Sequence, residues 1–219
     1  MKPSRLAILG PIAFLYSCAS TLVQHEFSPT PSISEQQYAQ EAKAKGLVLV
    51  SANWQRVWNC GGYENAELRS IGFDRMPSQY SSDALSPDLV LNGSPGGSGI
   101  ANFAYLVEPG EYGLSYFQIK VAESVSEVGY RFASRSLLLN NEGSKAGSFH
   151  IKAGEAVYIG HFGLDCAQQP IPWRYYLEDA EAFQKYVASF KKHYPYLELG
   201  AVQYRLFETR EFGHPHELQ

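Results

Sequence analysis

The 219-residue chain carries 18 basic and 22 acidic side chains, a formal net charge of −4 at neutral pH. No cationic surplus is available to neutralise a phosphate backbone, which argues against nucleic acid as a partner. Aromatic residues make up 14% of the chain, which suits strands and half-buried sheet faces, and the length fits one domain or one domain with an appendage.

The chain opens Met1-Lys2-Pro3-Ser4-Arg5, two cations with no acid, followed by the apolar run Leu6 to Tyr16. That run has the length of a signal-peptide apolar core and is too short to cross a bilayer as a helix. Small residues follow at Ser17, Cys18, Ala19 and Ser20. Leu15-Tyr16-Ser17-Cys18 resembles the lipobox of bacterial lipoproteins: an aliphatic residue, a variable one, a small one, then Cys. Tyr16 is bulkier than is usual there. The resemblance implies that residues 1–17 are a removable signal peptide. It implies that Cys18 becomes the first mature residue, with a diacylglyceryl group on its sulfur and often an acylated amine. Each buried methylene contributes about 0.8 kcal/mol, so two or three acyl chains anchor a protein durably where one does not. Ala19 in place of Asp resembles the pattern sent to the outer membrane in Gram-negative bacteria. An ordinary signal peptide with an incidental cysteine is the other reading. Loss of Lys2 and Arg5 takes the net charge from −4 to −6.

Residues 18–45 read as a tether with a marginal helix, in which Ser34 caps, Gln37 closes a capping box and Gly46 stops the helix. From Leu47 the β-branched and aromatic run to Cys60 predicts one strand, and Gly61-Gly62 a turn. "NAELRSIGFDRM" predicts a second strand with a phase shift between the Leu68, Ser70 set and the Ile71, Phe73 set. Pro77 to Gly99 reads as a long loop. "VEPGEYGLSYF" and "IKAGEAVYIGHF" share a form, an apolar residue, a short turn with Gly-Glu, then Tyr among apolar residues. Both read as hairpins, at Pro109-Gly110 and Ala153-Gly154. "VGYRFASRSLLLNN" reads as a further strand. Phe183, Tyr186, Val187, Phe190 and Tyr194 share one face of a helix over 178–194, with acids in its first turn, lysines in its last and Pro195 as the stop. "AVQYRLFET" predicts a final strand, and 211–219 a loose tail.

The lipobox and the two Gly-Glu turn motifs together resemble small bacterial lipoproteins that carry a β-sandwich of the transthyretin or PEGA type. The expected fold is therefore mainly β, an antiparallel sandwich over 46–210 with one C-terminal amphipathic helix packed on it. Families of this kind often have no assigned enzymatic role.

Cys60 and Cys166 remain after the lipobox. An even pair in an oxidising envelope suggests a disulfide, with two separate buried thiols as the alternative. Trp54, Trp58 and Tyr63 flank Cys60, and Trp173, Tyr175 and Tyr176 follow Cys166. A disulfide would bring these aromatics together, to stack on a sugar or apolar ligand, to anchor a protein, or simply to pack. His161, Asp165 and Cys166 carry the residue types of a cysteine nucleophile with its base. However, in a strand His161 and Cys166 face opposite sides, and an oxidised cysteine cannot attack. His214, His216 and Glu217 offer metal-binding side chains in a mobile tail, a weak site, so no metal is expected. "NGSPGGSG" lacks the Lys-Ser/Thr end of a phosphate loop, and no cofactor is implied.

The expectation is a lipid-anchored, non-catalytic envelope protein of outer-membrane type facing the periplasm, whose partner is another envelope protein or an assembly. The alternative is a glycan or small-molecule binder built on the aromatics near Cys60 and Cys166. A hydrolase using His161 comes third.

Overall fold

The computed structural model describes residues 27–80, 82–93, 99–141, 143–175 and 179–205, with the backbone alone for 173–175. Cys18, Tyr176, His214, His216, Glu217 and the expected tail lie outside the described residues.

Ser34 caps α1 (Glu35–Glu41) as expected: its Oγ accepts from the Gln37 amide at 3.3 Å, and the Gln37 side-chain oxygen accepts from the Ser34 amide at 3.1 Å. The helix ends at Ala42, and Gly46 opens β1 (Gly46–Asn53) instead of stopping the helix. A side chain at Gly46 would meet Ile151 Cγ1 at 2.4 Å, so close packing requires the glycine here.

The run expected as one strand is two. Trp54 and Gln55 separate β1 from β2 (Arg56–Cys60), and the two strands lie in different sheets. β2 returns through Gly61 and Gly62, with φ of 59° and 88°, the backbone that a two-residue hairpin turn requires. β3 (Tyr63–Met76) slips register twice, between Leu68 and Ser70 and between Gly72 and Phe73, on either side of the single phase shift expected after Ser70. The loop after it contains β4 (Leu89–Asn92). β5 (Ile100–Val107), β6 (Gly110–Ala122) and β7 (Val128–Ala133) follow. The strand expected to continue past Ala133 gives way to α2 (Arg135–Leu138) and a small ribbon of β8 (Leu139–Asn140) and β9 (Gly143–Ser144). Then come β10 (Ser148–Ile151), β11 (Ala156–Asp165), β12 (Ile171–Tyr175), α3 (Ala180–His193) and β13 (Gln203–Tyr204).

The protein is mainly β, in several sheets, with three helices among the described residues. One sheet has the order β12-β11-β1-β5, with β13 beside β11. The other has the order β10-β6-β3-β2, with β4 beside β3 and β7 beside β6.

Two expectations fail here. The first sheet is mixed, not antiparallel: β1 runs parallel to β11, from Leu47 opposite Ala156 to Ala52 opposite Phe162, and β13 also runs parallel to β11. Burial of β1 on both faces is what a strand in a covered, parallel-containing sheet shows. The two Gly-Glu turns also close no hairpins. Each carries the chain from one sheet to the other, β5 to β6 and β10 to β11, and they sit side by side, with Gly110 opposite Ile151. At these two turns alternation marked the flanking strands but not their partners.

The main core draws from both sheets. Phe73 of β3 meets Phe149 of β10 and Phe162 of β11 edge-on, with ring centroids 5.7 and 5.9 Å apart. A second cluster sets Phe183 and Phe190 of α3 against Leu47, Leu49, Ala104 and Tyr158 on the far side of the first sheet. Asp179 caps that helix on the Ala182 amide at 2.7 Å, and lysines fill its last turn, as its dipole favours.

Part of the expected tether belongs to the domain. Phe27 to Ile33 lies along the sheet edges: Thr30 exchanges hydrogen bonds with Val90 of β4, its amide donating and its hydroxyl accepting. Asn92 donates to the Phe27 carbonyl, and the Ile33 amide donates to Ala104 of β5. An exposed strand edge invites pairing with another chain, and this strap covers both edges.

Candidate functional site: the outer face of the six-stranded sheet

Cys60 and Cys166 are bonded, with their Cα atoms 4.5 Å apart. The bond ties the end of β2 to the connection between β11 and β12, one sheet to the other. Asn59, with φ of 54°, breaks the alternation of β2, so Trp58 faces outward while Cys60 turns into the core. Gly61 donates to the Cys166 carbonyl at 3.1 Å beside it.

The aromatics named in the sequence do not converge on one ligand. Trp54 is buried between Phe103 and Gly93. Tyr63 packs inward on the core, where its hydroxyl receives a hydrogen bond from Arg131. Trp58 points the other way and is 57% exposed, with Arg56 5.5 Å from its ring. Trp173 and Tyr175 lie on β12 opposite Gly163 and His161.

Trp58 has companions that sequence reasoning missed. Val128, Tyr130 and Phe132 alternate along β7, and all three are 40–48% exposed. Their neighbours Ile119, Val121 and Ala133 face the core, which places the exposed set on the opposite face. The register aligns Trp58, Asn65, Ala122 and Val128 in one row, and Arg56, Glu67, Lys120 and Tyr130 in the next. Three strand spacings make the row about 14 Å wide. Val125, almost wholly exposed, tips the β6–β7 hairpin. Thus five of the eight large apolar side chains exposed among the described residues gather here. The signal was present in "VGYRFA", whose apolar positions alternate, but period 2 does not say which face is covered.

Farther along the same face, Phe27 meets Tyr116 edge-on at 4.9 Å and packs on Val90, a cluster separate from the main core. Arg69 pairs with Glu67 at 2.6 Å. The strap therefore enters the domain on the face that carries Trp58, Tyr130 and Phe132.

His161 stacks on Tyr186 of α3, with Nδ1 3.2 Å from the tyrosine hydroxyl. Asp165 accepts from the Ala167 amide instead, and Cys166 is in the disulfide, so the three residues form no nucleophile with its base. Burial holds the His161 imidazole below its ordinary value. The folded state then binds fewer protons than the unfolded chain. Stability is complete above the unfolded histidine value, about 6.5, and declines as pH falls through it. Urea midpoints should drop between pH 7 and pH 5 in the wild type and less in His161→Gln. Identical slopes would show that another group carries the dependence.

Open clefts lie elsewhere. One of about 600 Å³ is lined by Lys45, Arg75, Asp88, Glu108 and Tyr112, and a second of about 460 Å³ by Asp83, Arg135 and Asn140. Met76, Pro77 and Tyr80 form the wall common to both. No group of three or more metal-ligating side chains occurs among the described residues. Comparison with protein-family models, with curated proteins and with solved structures finds no match.

Proposed function

We propose that the chain is a lipid-anchored protein of the cell envelope whose domain, a β-sandwich flanked by a helix, is a non-catalytic docking module held at a membrane surface. The observation that carries this reading is the gathering of Trp58, Val125, Val128, Tyr130 and Phe132 on one side of the molecule. Large apolar side chains gathered on one exposed face are what soluble domains avoid unless something covers them. A disulfide between the sheets suits an oxidising compartment. Among the described residues no helix is long and apolar enough to cross a membrane, and the proposed attachment rests on acylation of Cys18, with the outer membrane as the expected site. The glycan-binding alternative has less support, because Trp54 and Trp58 face different ways. The engagement of Cys166 in a disulfide supports the non-catalytic reading.

Fatty-acid labelling of cells producing the wild type and Cys18→Ala tests the anchor. The wild type should take up label and fractionate with membranes. The variant should take up none and leave them. A labelled, membrane-bound variant overturns the reading.

A further inference from the structure

We infer that the outer face of the six-stranded sheet rests on the lipid headgroups of the membrane that holds the anchor, so that the membrane itself covers the exposed apolar patch. The inference rests on acylation of Cys18. Phe27 is nine residues beyond Cys18 (27 − 18), and nine residues span at most about 30 Å. A domain of this size is about 40 Å across. The tether is thus shorter than the domain, and the end where Phe27 attaches stays toward the lipid. Phe27 attaches on this face, against Tyr116 and Val90. From its row to the row of Trp58 and Val128 is three two-residue steps along the strands, about 20 Å.

The chemistry of the face fits that position. Trp and Tyr settle at headgroup level because a ring buries its apolar body and leaves its polar edge wet. Here Trp58, Tyr130, Phe132 and Val128 stand beside Arg56 and Lys120, which can meet phosphates while their stems lie on the rings. On this face Arg56, Arg69 and Lys120 stand with Glu67, and Glu123 and Glu127 flank Val125 at the hairpin tip, so the face carries no excess of either charge and its contact with lipid rests on the rings.

The test places a photoreactive phenylalanine analogue at position 130 or 132, or at exposed position 185 on α3 as a control, in the full chain made in cells that acylate it. Irradiated cells are fractionated, and the adducts on the purified protein are read by mass spectrometry. Phospholipid adducts at 130 and 132 should exceed those at 185 roughly tenfold, since only the first two would face lipid. Equal phospholipid adducts at all three positions overturn the inference. So do dominant adducts to another protein, to a second copy, or to residues 19–26 of the same chain. Fatty acid on Cys18, read in the same sample, separates the two claims. If it is present without phospholipid adducts, the face is wrong and the anchor stands; if it is absent, the anchor itself is wrong.

Discussion

Replacing Cys60 and Cys166 together by Ala should lower the stability of the fold by about 4–5 kcal/mol. The bond joins residues 106 apart. Closing a loop of that length removes conformational freedom from the unfolded chain, and the cost of closure grows with the logarithm of loop length. A domain of ordinary stability has about 5–15 kcal/mol in total, so the loss is a large share of it. The native state suffers too. β2 is a five-residue edge strand with mostly exposed side chains, and the bond, with the Gly61 amide beside it, fixes its end to the connection between β11 and β12. Urea unfolding of the double variant should show a much lower midpoint, and reduction of the wild type should reproduce it. A loss below about 1 kcal/mol would show that other contacts already hold the unfolded loop together, against the chain-entropy account.

The disulfide was legible because cysteine parity and compartment point to it without knowledge of the fold. The same holds for local features. Ser34 with Gln37, Gly61-Gly62, and the helix from Asp179 to His193 are each set by residues within one or two turns of each other. Partnership between strands was less legible. "VEPGEYGLSYF" reads as a hairpin because nothing local separates a turn that folds a strand back from one that crosses to another sheet; only the distant partners decide. The parallel pairing of β1 with β11 joins residues more than a hundred apart and leaves no short-range mark. The patch was missed for a related reason. Trp58 and Cys60 should share a face, and one left-handed residue, Asn59, sends them to opposite sides. Asn tolerates that backbone better than most residues do, but asparagine alone is too common in turns to announce it. The strap was hidden because "SPTPS" has no periodicity, and its hydrogen bonds use backbone groups that any sequence possesses.

Arg135→Met should cost about 3–5 kcal/mol, because it leaves a buried carboxylate without its partner. Asp74 and Arg135 are both buried. The guanidinium donates to Asp74 Oδ2 at 2.5 Å and to Oδ1 at 2.9 Å, and its remaining donors reach the carbonyls of Ser82, Leu85 and Ser86. The ring of Tyr80 lies 4.6 Å from it, and the Tyr80 hydroxyl donates to Asp88 at 2.7 Å. One side chain thereby organises a segment rich in Ser, Pro and Asp that sequence alone reads as a plain loop. Breaking it takes the guanidinium from buried Asp74, which keeps the Asp88 amide at 3.2 Å, and releases three carbonyls of exposed loop residues; a buried charge left short of partners costs more than a typical hydrogen bond contributes. Removing both charges with Arg135→Met and Asp74→Leu should recover much of the loss, since no buried ion then remains. Recovery should stop short of the wild type, because the loop carbonyls keep no donor. Amide exchange over residues 82–88 should quicken in both variants, while the stability loss should be larger in the single one. A double-mutant cycle with coupling near zero would mean that Asp74 and Arg135 act independently, and that packing around Tyr80 holds the loop instead.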